Sequence, residues 1–117
     1  MEKKIVVIDA DHKQRREVCT MLEELNWPAT PIHRLGDLQR LLENDACRLI
    51  FVDLETLTAD RKLFHKLKRT KPSVHIMGLS SRFFHPELKE FMSRRIYACL
   101  NKPVDQEELS FWMKSLT

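Results

Sequence analysis

The sequence predicts an α/β protein in which a five-stranded parallel sheet is covered by helices on both faces, an open doubly wound fold. Short apolar runs, too brief for helices, alternate with amphipathic stretches along the whole chain. The connections are short, and right-handed crossovers between parallel strands place each helix against the sheet. At 117 residues, the chain is long enough for one core and is predicted to form one domain, 1–117.

Five apolar runs are predicted to form the strands. Each has the length and composition of a strand that is buried on both faces, although the second run is the weakest of the five. They cover residues 5–8, 29–33, 49–52, 74–79 and 97–100.

The first amphipathic stretch gives the clearest helix. Val18, Met21, Leu22 and Leu25 recur at helical spacing and therefore lie on one helix face. Because Pro28 disfavours helical backbone in the residue before it, the helix is predicted to end there.

Apolar side chains at helical spacing predict four more helices, the last of which begins with a capping pattern. Asp105 can cap its first turn, and Glu108 can reach back to the cap. The apolar side chains that define the four helices are Leu38, Leu41 and Leu42; Leu63, Phe64 and Leu67, before Pro72; Leu88, Phe91 and Met92, after Pro86; and Leu109, Trp112, Met113 and Leu116.

Composition excludes several classes of protein. Hydrophobic residues make up 43% of the chain and charged residues 32%, as is usual for a globular domain. No apolar run approaches the roughly 20 residues of a membrane helix, and the first residues do not form a secretory signal. We therefore expect a cytoplasmic protein without a membrane span.

The cysteines and the basic residues indicate no further site. Cys19, Cys47 and Cys99 are odd in number and far apart, which argues against a disulfide framework or a zinc site. The net charge of +3 comes without the dense basic stripe of nucleic-acid-binding proteins. We expect this domain to make no direct contact with nucleic acid.

Polar side chains follow four of the five predicted strands. In an open doubly wound fold, the carboxyl ends of the central strands meet at one crevice, where ligands bind. The candidates are Asp9 and Asp11 after the first strand, Asp53 and Glu55 after the third, Ser80 and Ser81 after the fourth, and Asn101, Lys102 and Pro103 after the fifth.

This set of side chains suits the transfer of a phosphoryl group to a carboxylate. Asp53 would attack phosphorus, Lys102 would pair with a phosphoryl oxygen, and Ser80 would donate a hydrogen bond to another. Asp9, Asp11 and Asp53 would hold a divalent cation. An oxygen site that must also admit phosphate and water suits Mg²⁺.

At these positions the sequence resembles the receiver domain of bacterial two-component response regulators, over nearly its whole length. That family has an acidic cluster after the first strand, a phosphorylated Asp after the third, Thr or Ser after the fourth and Lys-Pro after the fifth. The matching positions are Asp9 and Asp11, Asp53 in LIFVDLE, Ser80 in IMGLSS, and Lys102 and Pro103 in CLNKPV. The resemblance implies a flavodoxin-like fold with strand order 2-1-3-4-5.

The sequence departs from the family pattern at several positions. Ala10 stands where the family usually has a second acid that binds the metal, so Asp11 is predicted either to supply a carboxylate or to cap the first helix. Residues 54–57 replace the usual turn with proline and predict a bulkier, more acidic rim beside Asp53. Cys99 stands where a rotating aromatic residue usually reports phosphorylation, so switching through that position is not expected.

The resemblance implies a regulatory phosphoacceptor domain rather than an enzyme. A sensor histidine kinase or a phosphotransfer protein would phosphorylate Asp53. The resulting change would reach the face formed by the helix after Pro86, the fifth strand and the last helix. Many relatives use this face for homodimers or other partners.

Two other interpretations stay open at this point. Ala10 and Cys99 are compatible with a pseudo-receiver, a protein-interaction module that keeps the fold without being phosphorylated. Asp9 and Asp11 also resemble the nucleophile and the acid of haloacid dehalogenase-type phosphatases. That class needs a further late acidic motif, and the late acids of this chain fall on its predicted last helix.

Overall fold

The computed structural model describes residues 4–44, 47–81 and 96–116. The described elements follow in the order β1 (Lys4–Ile8), α1 (His12–Glu24), β2 (Ala29–Ile32), α2 (Leu35–Asn44), β3 (Cys47–Asp53), α3 (Leu54–Ala59), α4 (Arg61–Thr70), β4 (His75–Ser80), β5 (Ala98–Asn101) and α5 (Gln106–Ser115).

One parallel sheet forms the centre of the protein. Its five strands lie in the order β2-β1-β3-β4-β5, and each neighbouring pair is parallel. The predicted fold class and strand order are therefore confirmed. The bounds of each strand differ from the predicted run by at most two residues.

Alternating side chains of the strands supply two cores, one on each face of the sheet. Val6 and Ile50 belong to the core that α2, α3 and α4 cover, while Val7 and Phe51 belong to the core that α1 and α5 cover. The side-chain period of two along a strand produces this division. Both faces of the sheet are thus buried, as expected for a parallel sheet.

The end of α1 is a Schellman motif, close to the predicted end. The Trp27 amide donates to the Leu22 carbonyl oxygen at 2.7 Å, and the Asn26 amide donates to the Glu23 carbonyl oxygen at 3.0 Å. Asn26 has a φ of 66°, a left-handed conformation in which asparagine is enriched. The turn brings Trp27 back onto the core beneath α1 and α5.

The helix α3, which follows β3 directly, was not predicted. Leu54 and Leu57 are fully buried on it, so the prediction of a bulky rim at 54–57 is wrong for these two residues. The physical reason is that side chains three residues apart share one side of a helical turn and can be buried together. Glu55 is exposed and supplies the acidic part of the predicted rim.

The other predicted helices within the described residues are confirmed as α2, α4 and α5. The Asp105 carboxylate caps α5 as predicted, accepting a hydrogen bond from the Glu108 amide at 2.9 Å. The helix predicted after Pro86 lies outside the described residues. None of the helices in the described ranges combines the length and the apolar character needed to cross a membrane.

Candidate functional site

A crevice of about 440 Å³ lies at the carboxyl ends of the strands. Its lining residues come from the segments that follow β1, β3, β4 and β5. They are Asp9, Ala10, Asp11, Gln14, Asp53, Glu55, Ser81, Lys102 and Pro103. The structure thus brings Asp9, Asp53 and Lys102 together at one place.

The ammonium of Lys102 joins two buried carboxylates. Its Nζ atom lies 2.7 Å from Asp9 Oδ2 and 2.7 Å from Asp53 Oδ1. The Lys102 side chain is 13% exposed and that of Asp9 is 2% exposed, so water screens these charges poorly. The Lys102 amide also donates to the Ser80 carbonyl oxygen at 2.8 Å, which ties the segment after β5 to the end of β4.

The neighbouring carboxylates raise the pKa of Lys102 above its ordinary value. Burial has the largest single effect and acts in the opposite direction, because removal from water disfavours the charged ammonium. The attraction of the Asp53 and Asp9 carboxylates, which both contact the Lys102 Nζ atom at 2.7 Å, outweighs burial. Lys102 is therefore a fixed positive charge at neutral pH, as a group that pairs with a phosphoryl oxygen must be.

Asp9 is held through both its side chain and its backbone. Its Oδ1 atom accepts a hydrogen bond from the Asp11 amide at 2.9 Å. Its Oδ2 atom has no hydrogen-bond partner among the described residues and meets Lys102 as an ion pair. Arg15 Nη1 donates to the Asp9 carbonyl oxygen at 2.6 Å. These contacts fix the carboxylate in the crevice.

Arg15 and two histidines form a cluster beside Asp9 that the sequence analysis missed. Arg15 donates through Nη2 to His12 Nδ1 at 3.0 Å and through Nη1 to His33 Nδ1 at 3.4 Å. A guanidinium has no acceptor, so each ring nitrogen accepts. The sequence carries one weak signal, the spacing of three residues that places His12 and Arg15 on one helix face. No spacing rule connects either residue to His33.

Asp11 is the N-cap of α1. Its Oδ1 atom accepts hydrogen bonds from the amides of Lys13 at 3.0 Å and Gln14 at 3.2 Å. Of the two roles that the sequence predicts for this residue, the structure shows capping. Its role as a metal ligand stays a prediction.

Asp53 ends β3 and also caps α3. Its Oδ1 atom contacts Lys102, and its Oδ2 atom accepts a hydrogen bond from the Thr56 amide at 3.4 Å, a long and therefore weak bond. The Asp53 side chain is 12% exposed and lines the crevice. A reactant that enters the crevice can therefore reach this carboxylate.

Ser80 and Ser81 take different positions at the end of β4. Ser80 is 2% exposed and pairs with Asn101 of β5 in the sheet. Ser81 is exposed and lines the crevice, and the described lining residues do not include Ser80. The predicted hydrogen bond from Ser80 to a phosphoryl oxygen stays a prediction.

Asp9 and Asp53 are the carboxylates that fit a divalent cation. Both contact the same ammonium at 2.7 Å, and Asp9 Oδ2 is a buried oxygen without a hydrogen-bond partner in the described part of the chain. Mg²⁺ accepts such a set, because it keeps several waters and takes one or two carboxylates.

The same crevice limits how a cation can be held. Lys102 competes for the oxygens of Asp9 and Asp53, and Ala10 offers no side-chain ligand. Within residues 4–44, 47–81 and 96–116, no group of three or more His, Cys, Asp or Glu side chains is arranged to hold a metal ion. The crevice therefore offers a divalent cation two carboxylates, those of Asp9 and Asp53.

Comparisons with known proteins identify the fold. No family model matches the sequence, and the search of curated proteins found no match. Among solved structures, a response regulator from Thermotoga maritima is 16% identical with a TM-score of 0.85, over 99% of this chain and 98% of that one. The signal receiver domain of an HD domain-containing protein from Pseudomonas fluorescens Pf-5 is 17% identical with a TM-score of 0.80, over 99% and 94% of the two chains.

A third solved structure, described provisionally as a pilus assembly protein, comes from Burkholderia thailandensis E264. It is 21% identical with a TM-score of 0.81, over 97% of each chain. Identities this low establish the fold alone. The chain therefore has the fold of the response regulator receiver domains that its sequence resembles.

Proposed function

We propose that this chain is a receiver domain in which Asp53 accepts a phosphoryl group from a sensor histidine kinase or a phosphotransfer protein. The observation that carries the proposal is the contact of the Lys102 ammonium with both Asp53 and Asp9 at 2.7 Å, at the wall of the crevice. The receiver fold of the structural neighbours supports it.

In this proposal, an oxygen of the Asp53 carboxylate attacks the phosphorus of a phosphohistidine. A P–O bond to Asp53 forms and the P–N bond of the donor breaks, while the imidazole nitrogen keeps the electron pair and takes up a proton. Once phosphorylated, Asp53 no longer carries the carboxylate charge that Lys102 balances. Lys102 then pairs with a negatively charged phosphoryl oxygen, so its ammonium has an anionic partner before and after the transfer.

Several further residues have proposed roles in this reaction. Asp9 and Asp53 are the proposed ligands of Mg²⁺, and the bound ion would supply charge neutralisation for the phosphoryl oxygens. Asp11 is the third ligand that the sequence predicts, and its engagement as the cap of α1 argues against that role. Ser80 is the proposed hydrogen-bond donor to the phosphoryl group. Ser81 is its alternative, because Ser81 already lines the crevice.

The proposed role is regulatory rather than enzymatic, and we place it in the cytoplasm. The domain would receive a phosphoryl group and shift between two conformations that a partner distinguishes. Cys19, Cys47 and Cys99 all lie within the described residues, and none of them forms a disulfide. Three cysteines that stay as thiols support a reducing compartment.

The face of β5 and α5 is the proposed contact surface for a second copy of the chain. Two aromatic side chains are exposed there, Tyr97 by 39% and Phe111 by 63%. Trp112 meets both edge to face, with ring centroids 5.7 and 5.2 Å away. Exposed aromatic side chains are enriched at protein interfaces. Sedimentation after phosphorylation should show a dimer that Phe111→Ser weakens, and a monomer under all conditions would contradict this interface.

Mass spectrometry after incubation with acetyl phosphate and Mg²⁺ tests the phosphoacceptor role. We expect the mass of one added phosphoryl group, and its loss in the Asp53→Asn variant. Glu55→Gln is the matched control, because it removes a carboxylate from the exposed rim of the same crevice. Failure to modify Asp53 under conditions that modify a standard receiver domain would argue strongly against the proposal.

The second candidate function is a protein-interaction module that is not phosphorylated. Ala10 stands in place of the usual acid, and the Asp11 carboxylate is engaged in a helix cap. The Lys102 ammonium already contacts the carboxylates of Asp9 and Asp53. Isothermal titration with MgCl₂ separates the candidates. Binding with a millimolar or tighter dissociation constant disfavours the module, whereas no binding together with unmodified Asp53 favours it.

A further inference from the structure

A second cavity, of about 120 Å³, lies at the amino ends of the strands, at the opposite edge of the sheet from the crevice. Ile5, Leu49 and His75 line it from β1, β3 and β4. These three residues stand side by side, because Ile5 pairs with Leu49 and Leu49 pairs with His75 in the sheet. Trp27, after α1, and Met113, in α5, complete this wall.

The interior of this cavity is apolar. Ile5, Leu49 and Met113 are buried, and Trp27 and Leu116 are partly buried against the same core. An apolar cavity of about 150 Å³ can stay dry and bind benzene. A volume of about 120 Å³ therefore suits a single small ring or a short branched chain.

An irregularity in β3 directs a positive charge to the cavity. Lys4 pairs with Cys47 and Ile5 pairs with Leu49, so Arg48 is an extra residue without a partner in β1. Bulges of this kind re-aim a side chain, and Arg48 is exposed and lines the cavity. Its guanidinium has no hydrogen-bond or ion-pair partner within the described residues.

The other polar groups at the cavity carry no negative charge. Ser73 offers a hydroxyl, and Lys68 fixes the loop on both sides of it by donating to the carbonyl oxygens of Pro72 at 3.0 Å and Val74 at 2.6 Å. Burial, and then the charge of Lys68, lower the pKa of His75, so this imidazole is neutral at neutral pH. The described lining residues include no Asp or Glu.

We propose that this cavity binds a small monocarboxylate with an apolar ring or branched chain. The apolar part fills the space between Leu49, Trp27 and Met113. The carboxylate lies against the guanidinium of Arg48, whose planar fork can form two parallel hydrogen bonds with it. Ser73 supplies a further donor. This site does not depend on the phosphoacceptor role, because it shares no residue with the crevice.

Titration with sodium benzoate, followed by NMR of methyl-labelled protein, tests the proposal. Benzoate combines a ring with a carboxylate, and benzamide is its neutral match. We expect saturable shifts of the methyl signals of Ile5, Leu49 and Met113, with a dissociation constant of about 1 mM. Benzamide should bind about tenfold more weakly, because it cannot form a charge-assisted pair with Arg48.

Three variants complete the test. Arg48→Gln should weaken benzoate about tenfold and leave benzamide unchanged, and Ser73→Trp should weaken both ligands by obstructing the cavity. Arg16→Gln removes the same charge from the exposed surface of α1 and should change neither affinity. The proposal is overturned if folded wild-type protein shows no saturable shifts, or if Arg48→Gln protein binds benzoate as tightly as wild type.

Discussion

The side chain of Leu54 fills the space that a Cβ atom at Gly78 would need. Such an atom would lie 2.9 Å from Leu54 Cδ2 and 3.3 Å from Cys99 Sγ. Leu54 is fully buried, and close-packed interiors leave such a side chain little room to move. The absence of a side chain at Gly78 therefore allows the first turn of α3 to pack on the sheet beside Asp53.

Replacing Gly78 with alanine should destabilise the protein. The added methyl group must displace buried Leu54, and overpacking of this kind costs about 1–3 kcal/mol of the free energy of unfolding. Urea denaturation followed by circular dichroism measures the change. Adding Leu54→Ala to the Gly78→Ala protein should make the cost of Gly78→Ala smaller, because the clashing atoms are removed.

Gly36 provides the control for this substitution. Gly36 lies in α2, and a Cβ atom there would have no atom within 4 Å apart from its chain neighbours and the backbone of its own helix. Alanine loses less conformational freedom than glycine in a helix, so Gly36→Ala should stabilise the protein by about 0.5 kcal/mol. Equal stabilisation by Gly78→Ala and Gly36→Ala would show that the close packing of Leu54 against Gly78 does not limit which side chain can stand at position 78.

Asp11 should stabilise the protein as the N-cap of α1, and its negative charge should not matter for stability or for Mg²⁺ binding. Asp11→Asn keeps a side-chain oxygen for the amides of Lys13 and Gln14 and should leave stability unchanged, whereas Asp11→Ala should cost about 1 kcal/mol. Urea denaturation gives both values. Calorimetric titration with MgCl₂ should give the same affinity for wild type and Asp11→Asn, and a clear loss of affinity would instead assign Asp11 as a metal ligand.

The sheet and the meeting of Asp9, Asp53 and Lys102 follow from rules that act on short segments. Buried parallel strands leave continuous apolar runs, which are visible in sequence. Once the strands are parallel, their carboxyl ends lie at one edge, and the polar residues that follow them converge. The contact between Lys102 and Asp53, 49 positions apart, needs no more information than this.

The features that were not predicted depend on contacts between distant segments. The packing of α3 on the sheet uses the room that β4 leaves for Leu54 at Gly78, and the sequence of residues 54–59 does not indicate that this room exists. Arg15 reaches His33 because of how α1 lies against β2. Neither contact joins residues at a regular spacing in the sequence, so neither can be predicted from a sequence pattern.

Lowering the pH should reduce the free energy of unfolding, in part because of His75. Burial, and then Lys68, lower the pKa of His75 in the folded protein. As the pH falls through the ordinary histidine value of about 6.5, the unfolded chain takes up the proton first, so this contribution to stability is lost. Between about pH 7.5 and about pH 5.5, wild type should lose more free energy of unfolding than His75→Gln. Parallel losses in the two proteins would show that His75 does not contribute.

Removing the ammonium of Lys102, which follows β5, should destabilise the protein more than removing that of an exposed helix lysine such as Lys62. Lys102→Gln leaves the carboxylates of Asp9 and Asp53 buried without a counter-charge, and loss of one partner of a buried ion pair costs about 3 kcal/mol. Urea denaturation near neutral pH measures this, with Lys62→Gln on the exposed surface of α4 as a control that should change stability by less than about 0.5 kcal/mol.

A second substitution distinguishes the loss of charge balance from the loss of packing around Lys102. Adding Asp9→Asn to Lys102→Gln removes one of the two unbalanced charges, so the double variant should be more stable than Lys102→Gln alone. If the ion pairs hold the crevice together, the two substitutions are therefore strongly coupled. Additive effects of Asp9→Asn and Lys102→Gln would mean that the carboxylates do not depend on the ammonium, which would also remove the main support for Lys102 as the partner of a phosphoryl oxygen.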